Sequence, residues 1–304
     1  MAALDKSLPL EYQSEQSRLN ILGFWIFLGA EIMLFATHFA SYLVLAGRTA
    51  DGPTLAQLFE LKTLLIQTLL LLTSSFTCGI VIHEMRKHNQ TAMLGWFVLT
   101  LLLGAGFLFF EIEEFIMYIG EGATIQTSAF LSGFFVLLGT HGAHVTGGII
   151  WAICVIIQIL KRGLTPVTAR KVFIISLYWH FLDLVWVFIY TLVYLNGMVA
   201  YMGQHNNQAN GHAHSGVPWS HVFGVILSLA LTFLALYVAL YTNLPLSTIL
   251  TTIIIMAVAQ ALLQLIMFMH LKEGEGRVQV LTMIYSFFVA TATVGLTVWI
   301  FFSM

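Results

Sequence analysis

"YWHFLDLVWVFIYTLVYL", Tyr178 to Leu195, has the length and apolar character of a membrane span, yet His180 and Asp183 sit inside it, three residues apart. On a helix that spacing puts both side chains on one face, one turn apart. A carboxylate inside hydrocarbon is costly and is kept where it has a partner or a task. The stretch therefore predicts a helix whose polar face is turned away from lipid, towards other helices of the same bundle.

The rest of the chain supplies those helices. It has 304 residues, of which 59% are hydrophobic and 9% charged, with a mean hydropathy of +0.90. That composition excludes an ordinary soluble domain. A span needs roughly 20 apolar residues. Eight runs qualify: Ile21–Leu45, Leu64–Ile82, Ala92–Tyr118, Ala129–Leu160, Phe173–Leu195, Val222–Tyr241, Ile249–His270 and Val280–Phe302. None alternates as the strands of a membrane barrel do. The expected class is an all-α, polytopic membrane bundle of eight transmembrane helices, five plus three. The net charge of −2 gives no reason to expect nucleic acid as a partner. Cys78 and Cys154 fall mid-span and are expected to be buried small apolar residues. The first 20 residues are polar and mixed in charge, unlike a signal peptide, so the first span is expected to direct insertion.

One segment interrupts the pattern. "GQHNNQANGHAHSGVP", Gly203 to Pro218, is polar and rich in His, Asn and Gly. It divides the chain into a five-helix module (1–200), a linker or new N-terminal tail (201–218) and a three-helix module (219–304). Its His205, His212 and His214 fit a solvated tail better than a metal site. No internal repeat is visible, which argues against an inverted-repeat transporter. Lysine and arginine give the orientation. With the N-terminus cytoplasmic, that side of the first module carries Lys6, Arg18, Arg86, Lys87, Lys161, Arg162, Arg170 and Lys171, and the other side only Arg48 and Lys62. In the second module Lys272 and Arg277 place the loop between its second and third spans in the cytoplasm as well. Residues 197–218 would then have to cross the bilayer, which their polarity forbids. Either one charge reading fails, or two polypeptides are joined here, the second starting near Met202.

The first module holds more ionisable groups than an anchor needs. Glu31 lies mid-span in "FLGAEIMLF"; Glu111 and Glu114 share a face in "EIEEF"; His141 and His144 share one in "GTHGAHVTGG"; His180 and Asp183 complete the set. These residue types suit a metal site, interhelical hydrogen bonds between closely approaching glycine-rich helices, or a proton relay. The absence of paired cysteines, a His-Glu-x-x-His motif or clustered histidine boxes argues against metal. Two other classes fit the composition: a histidine-rich di-metal membrane oxygenase, which needs several histidine boxes at one membrane face, and a proton-coupled transporter, which needs broken helices around a midplane site.

The runs "FELKTLLIQTLLLLTSS", "EIEEF", "GTHGAHVTGG" and "YWHFLDLVWVFIYTLVYL", in that order, resemble subunit III of the haem–copper respiratory oxidases over residues 19–198. The five spans, where many subunits III have seven, resemble those of the bacterial quinol oxidases. "GVILSLALTFLALYVALYT" and "QALLQLIMFMHLKEGEG", within 217–302, resemble the three-span subunit IV of the same oxidases, with Gln260, Gln264 and His270 on or near one face. The resemblance implies an accessory, non-redox part of a proton-pumping quinol oxidase in a bacterial plasma membrane. It implies no catalytic residue, metal or cofactor in this chain. Haem and copper are expected in partner subunit I, with subunits I and II and phospholipid as partners. It implies that Glu111, Glu114, His141, His144, His180 and Asp183 are structural. Glu31 corresponds to the family's carbodiimide-reactive cleft carboxylate, and Lys161 and Arg162 to basic positions near bound lipid phosphates.

Overall fold

The computed structural model describes residues 8–50, 52–53, 58, 60–195 and helical positions scattered between 230 and 294. Among these described residues, five helices are long and apolar enough to cross a membrane. They are α1 (Glu15–Leu45), α2 (Leu61–Arg86), α3 (Gln90–Gly120), α4 (Ala129–Arg162) and α5 (Pro166–Ile189), the last continued by a π-helical segment, Tyr190–Leu195. The first five expected spans are all present. The three of the second module, the linker histidines, Gln264 and His270 lie largely or wholly outside the described residues. So does the course of the chain from Asn196 to Pro218.

Four of the five helices, all but α2, start at a polar side chain that closes the first turn. The Ser14 hydroxyl accepts from Ser17 N at 3.1 Å, and Ser128 from Leu131 N at 3.1 Å. Asn89 caps α3 through Ala92 N. Thr165 and Thr168 form a reciprocal capping box in front of α5, whose first residue is Pro166. Such caps satisfy the N–H groups that a first turn leaves free. The last turn of α4 stops at Gly163, whose φ of 68° favours glycine. Short connections make neighbouring helices antiparallel.

The fifth helix is the axis of the module. Its apolar window is 94% buried, against 28% for α4. It packs on α1, α2 and α4, while α2 and α3 form a tight hairpin and α3 also touches α4. Side chains carry α3 onto α5. Trp186 meets Phe107 edge-on at 4.8 Å. A Cβ on Gly104 would stand 2.5 Å from the Trp179 ring, so only glycine lets the indole lie against α3. Between helices in lipid, this close packing, not water exclusion, holds the bundle together.

The polar N-terminal stretch is built into the module. A 3₁₀ turn at Leu10–Tyr12 buries Glu11 fully, and Arg86 donates to its Oε1 from Nε at 3.0 Å and from Nη2 at 2.7 Å. Tyr12 meets Phe173 edge-on at 5.5 Å. Nothing in the sequence pattern singled out Glu11. One expectation is corrected: Cys78 is buried, but Cys154 is exposed, because it falls on the face of α4 turned away from α1, α3 and α5.

Candidate functional site

The buried ionisable side chains Glu111, Glu114, His141, His180 and Asp183 form a polar column inside the bundle, and α2 supplies partners to three of them, Glu114, His180 and Asp183. His180 and Asp183 are both 1% exposed. Ser75 on α2 lies 2.7 Å from His180 Nδ1 and also bonds the Asp183 carboxyl. A hydroxyl has one proton. Donating it to Asp183, Ser75 accepts from His180 Nδ1–H, so one small residue serves both partners. The two tryptophans of "WHFLDLVW" behave alike. Trp179 Nε1 donates to Ser74 Oγ at 3.0 Å, and Trp186 Nε1 to Thr68 Oγ1 at 3.1 Å. Thr68, Ser74 and Ser75 thus form a hydroxyl stripe along α2 facing α5.

Glu114 is also buried and well supplied. It accepts from Gln67 Nε2 at 3.1 Å and from the Tyr118 hydroxyl, and Tyr194 of the π segment adjoins the same carboxyl. Glu111, one turn earlier, differs. Its carboxyl lies on the backbone of Gly142, where a Cβ would come within 2.6 Å of Oε2. Its oxygens have no hydrogen bond, and the nearest basic group is His141 Nδ1 at 3.9 Å. On its other side, His141 Nε2 faces the Leu182 carbonyl at 3.2 Å.

His144 points elsewhere. Its Nδ1 lies 2.7 Å from the Thr140 carbonyl and its Nε2 3.1 Å from Glu31 Oε2 on α1. The Tyr178 hydroxyl donates to the His144 carbonyl at 3.1 Å. The Glu31 and His144 side chains are 12% and 21% exposed, at the rim of the bundle rather than in its core. Lys161 and Arg162 are exposed in the last turn of α4. At 1.5 Å per residue they stand roughly 25 Å along the helix from His144, so they do not join Glu31 in one cluster. The His-x-x-His pair does not converge on a common point: His141 is directed at α3 and His144 at α1. Among the described residues no three His, Cys, Asp or Glu side chains are placed to share a metal ion.

The five helices together span the extent of one family match. Residues 13–198 match Cytochrome c oxidase subunit III. The chain belongs to that family. Residues 222–294 match Prokaryotic Cytochrome C oxidase subunit IV, so this subunit III family member carries a second, subunit IV-like segment. Quinol oxidase subunit 3 of Bacillus subtilis is 61% identical over 194 residues, which are 64% of this chain and 95% of that protein. The same identity and coverage hold for quinol oxidase subunit 3 of Bacillus spizizenii. A probable quinol oxidase subunit 3 of Staphylococcus haemolyticus is 53% identical over 191 residues, 62% of this chain and 95% of the relative. These relatives correspond to the five-helix module.

Proposed function

We propose that this chain is the non-redox accessory part of a proton-pumping terminal quinol oxidase, the complex that oxidises quinol and reduces oxygen to water. The carrying observation is the subunit III family match over the five-helix module, together with relatives named as quinol oxidase subunits. In this reading haem and copper reside in partner subunit I, subunits I and II dock on the bundle, and the chain stabilises subunit I, holds phospholipid and sustains proton uptake. The polar column supports a structural role, since its groups are mostly satisfied by hydroxyls and backbone of neighbouring helices.

Lipid holding has two supports. Lys161 and Arg162 lie exposed at a helix end, where cations suit anionic headgroups. At the opposite end of the bundle, Thr37, His38, Ser41, Leu45, Ser132, Gly133 and Val136 line a notch of about 260 Å³ between α1 and α4. The rim carboxyl of Glu31 lies between these levels. The N-terminus is assigned to the cytoplasm, in a bacterial plasma membrane, because seven cations from Arg18 to Lys171 lie at the ends of helices that meet on that side.

Affinity purification of the chain from native membrane, followed by an optical spectrum, tests the reading. Haem bands from a co-purifying large subunit are expected; a colourless isolated protein would refute it. The same preparation addresses the join. We assign residues 1–201 and 202–304 to two subunits, because the charge pattern of each half places residues 197 and 218 on opposite membrane faces. A denaturing gel with two smaller bands supports that assignment, and a single band near 33.9 kDa overturns it in favour of a fused chain with a reversed second module.

A further inference from the structure

The two histidines of "THGAHV" share a feature that the accessory role leaves unused. Each has one ring nitrogen fixed on a backbone carbonyl and the other aimed at a carboxyl from a different helix. A carbonyl only accepts hydrogen bonds, so the fixed nitrogen carries a hydrogen. In His144 this is Nδ1, on the Thr140 oxygen at 2.7 Å. In His141 it is Nε2, on the Leu182 oxygen at 3.2 Å. The opposite nitrogen of a neutral ring is then a lone pair. It faces Glu31 Oε2 at 3.1 Å in the first case and Glu111 Oε1 at 3.9 Å in the second.

A lone pair and a carboxylate oxygen repel. At 3.1 Å they bond only with a proton between them, on the imidazole or on the carboxyl. The core pair meets the same condition through burial. Its side chains are 0% and 3% exposed, and the Glu111 oxygens have no hydrogen bond. Ionised Glu111 beside neutral His141 would leave an uncompensated charge in a dry site, which is strongly unfavourable. One proton removes both the charge and the lone-pair repulsion, and it draws the two groups towards bonding distance.

We propose that the His-x-x-His motif builds two one-proton sites, His144–Glu31 at the rim and His141–Glu111 in the core, each holding a single exchangeable proton between imidazole and carboxyl. The groups around them fit this occupancy. The rim pair is faced by the Tyr178 hydroxyl of α5 and the Phe35 ring of α1, 5.3 Å from His144. The core pair is faced by Glu114 of α3, itself bonded by Tyr118 and by the neutral amide of Gln67 on α2, by Tyr194 beyond α5, and by the rings of Trp186 and Phe107 at 5.5 and 5.6 Å from His141. Neither pair needs net charge to hold its proton. The motif thereby stores protons at two depths of one helix.

The test is spectroscopic and needs no turnover. Infrared spectra and nitrogen-15 spectra of histidine-labelled complex are recorded at neutral pH for the parent, Glu31→Gln and Glu111→Gln. Each variant is expected to lose one proton's signature. That is either a carboxylic C=O band that shifts in deuterium oxide, or a carboxylate band together with one doubly protonated histidine. Loss of a carboxylate band with every histidine singly protonated before and after overturns the proposal for that pair. Should Glu111→Gln fail to assemble, His141→Gln assigns the same signals, and the rim pair is read independently.

Discussion

Two helices carry ionisable side chains at the same spacing and use it in opposite ways. On α5, His180 and Asp183 converge on one hydroxyl, that of Ser75. On α4, His141 and His144 part company, one turned to Glu111 and the other to Glu31. Residues three apart on a helix differ by roughly 60° around its axis. On α5, enclosed on nearly every side, both directions meet the same neighbour. On α4, which lies in contact with both α1 and α3, the same angle is enough to reach two different helices. Spacing alone therefore says that two groups avoid lipid; the number of neighbouring helices decides whether they share a partner.

The shared partner is the place to break the comparison hardest. Ser75→Val removes the hydroxyl that His180 and Asp183 both use and has the shape of Ser75→Thr, which keeps that hydroxyl and so controls for the added methyl. Each buried group that loses a bond costs about 1–3 kcal/mol. The expected loss is about 2–4 kcal/mol, read as a lower unfolding temperature in detergent and a reduced yield of assembled complex. Ser75→Thr, which retains the hydroxyl, should recover most of it. A Ser75→Val protein as stable as the parent would show that the convergence on α5 carries no energy.

Next in size is Asp183→Leu, which removes one of the two groups and leaves Ser75 a single partner. A destabilisation of about 1–3 kcal/mol is expected, seen as assembly yield falling several-fold while turnover per assembled complex stays unchanged. Normal assembly with lost turnover would assign Asp183 to proton transfer and dissolve the contrast between a structural α5 and a proton-holding α4.

Two glycines then sharpen the difference between rigid and yielding contacts. A Cβ at position 104 meets the buried ring of Trp179 at 2.5 Å, and one at position 142 meets the end of the Glu111 side chain at 2.6 Å. A ring locked by its bond to Ser74 cannot retreat, whereas a carboxyl on a flexible stem can. Gly104→Ala should cost about 1–3 kcal/mol, as overpacked cores do, and Gly142→Ala less, in thermal unfolding of the complex. Equal losses would mean that Glu111 is held as firmly as the indole.

Much of the bundle could be read from the residues, and the reasons for what could not are physical. Burial of Glu111, Glu114, His141, His180 and Asp183 followed from the expense of polar groups in hydrocarbon, which applies whatever their partners. The partners themselves were hidden. Thr68, Ser74 and Ser75 sit in "IQTLLLLTSS" beside Gln67, where small hydroxyls change hydropathy little, and Ser and Thr are equally content bonded to their own helix. Thr77 does bond its own helix, at Ser74 O. The seal at Glu11 and Arg86 joins residues 75 positions apart, a distance over which no periodicity speaks. The π segment at Tyr190–Leu195 continues the expected span without any break in composition. Family resemblance placed the motifs but did not divide His141 from His144; only the packing of α1 and α3 against α4 does that.

The smallest expected effect is also the finest test of rim against core. Glu31→Gln keeps a side chain of the same shape on α1, and its amide still offers a hydrogen bond to His144 Nε2. The pair is 12% and 21% exposed, so the change is made at the rim, where the side chains have room to readjust. A hydrogen bond contributes roughly 0.5–1.5 kcal/mol net, and here one replaces another. Loss of stability should stay below about 1 kcal/mol, with assembly close to the parent's. Glu111→Gln places the same chemical change where the side chain is 3% exposed and lies on the bare backbone of Gly142. There the new amide must find partners among groups that already lack them, and the cost should be larger by about 1–2 kcal/mol. Thermal unfolding of the two variants side by side decides the matter. If Glu31→Gln proves the more damaging, the rim pair, not the core pair, is the one the bundle depends on, and depth in the bundle ceases to distinguish the two arms of α4.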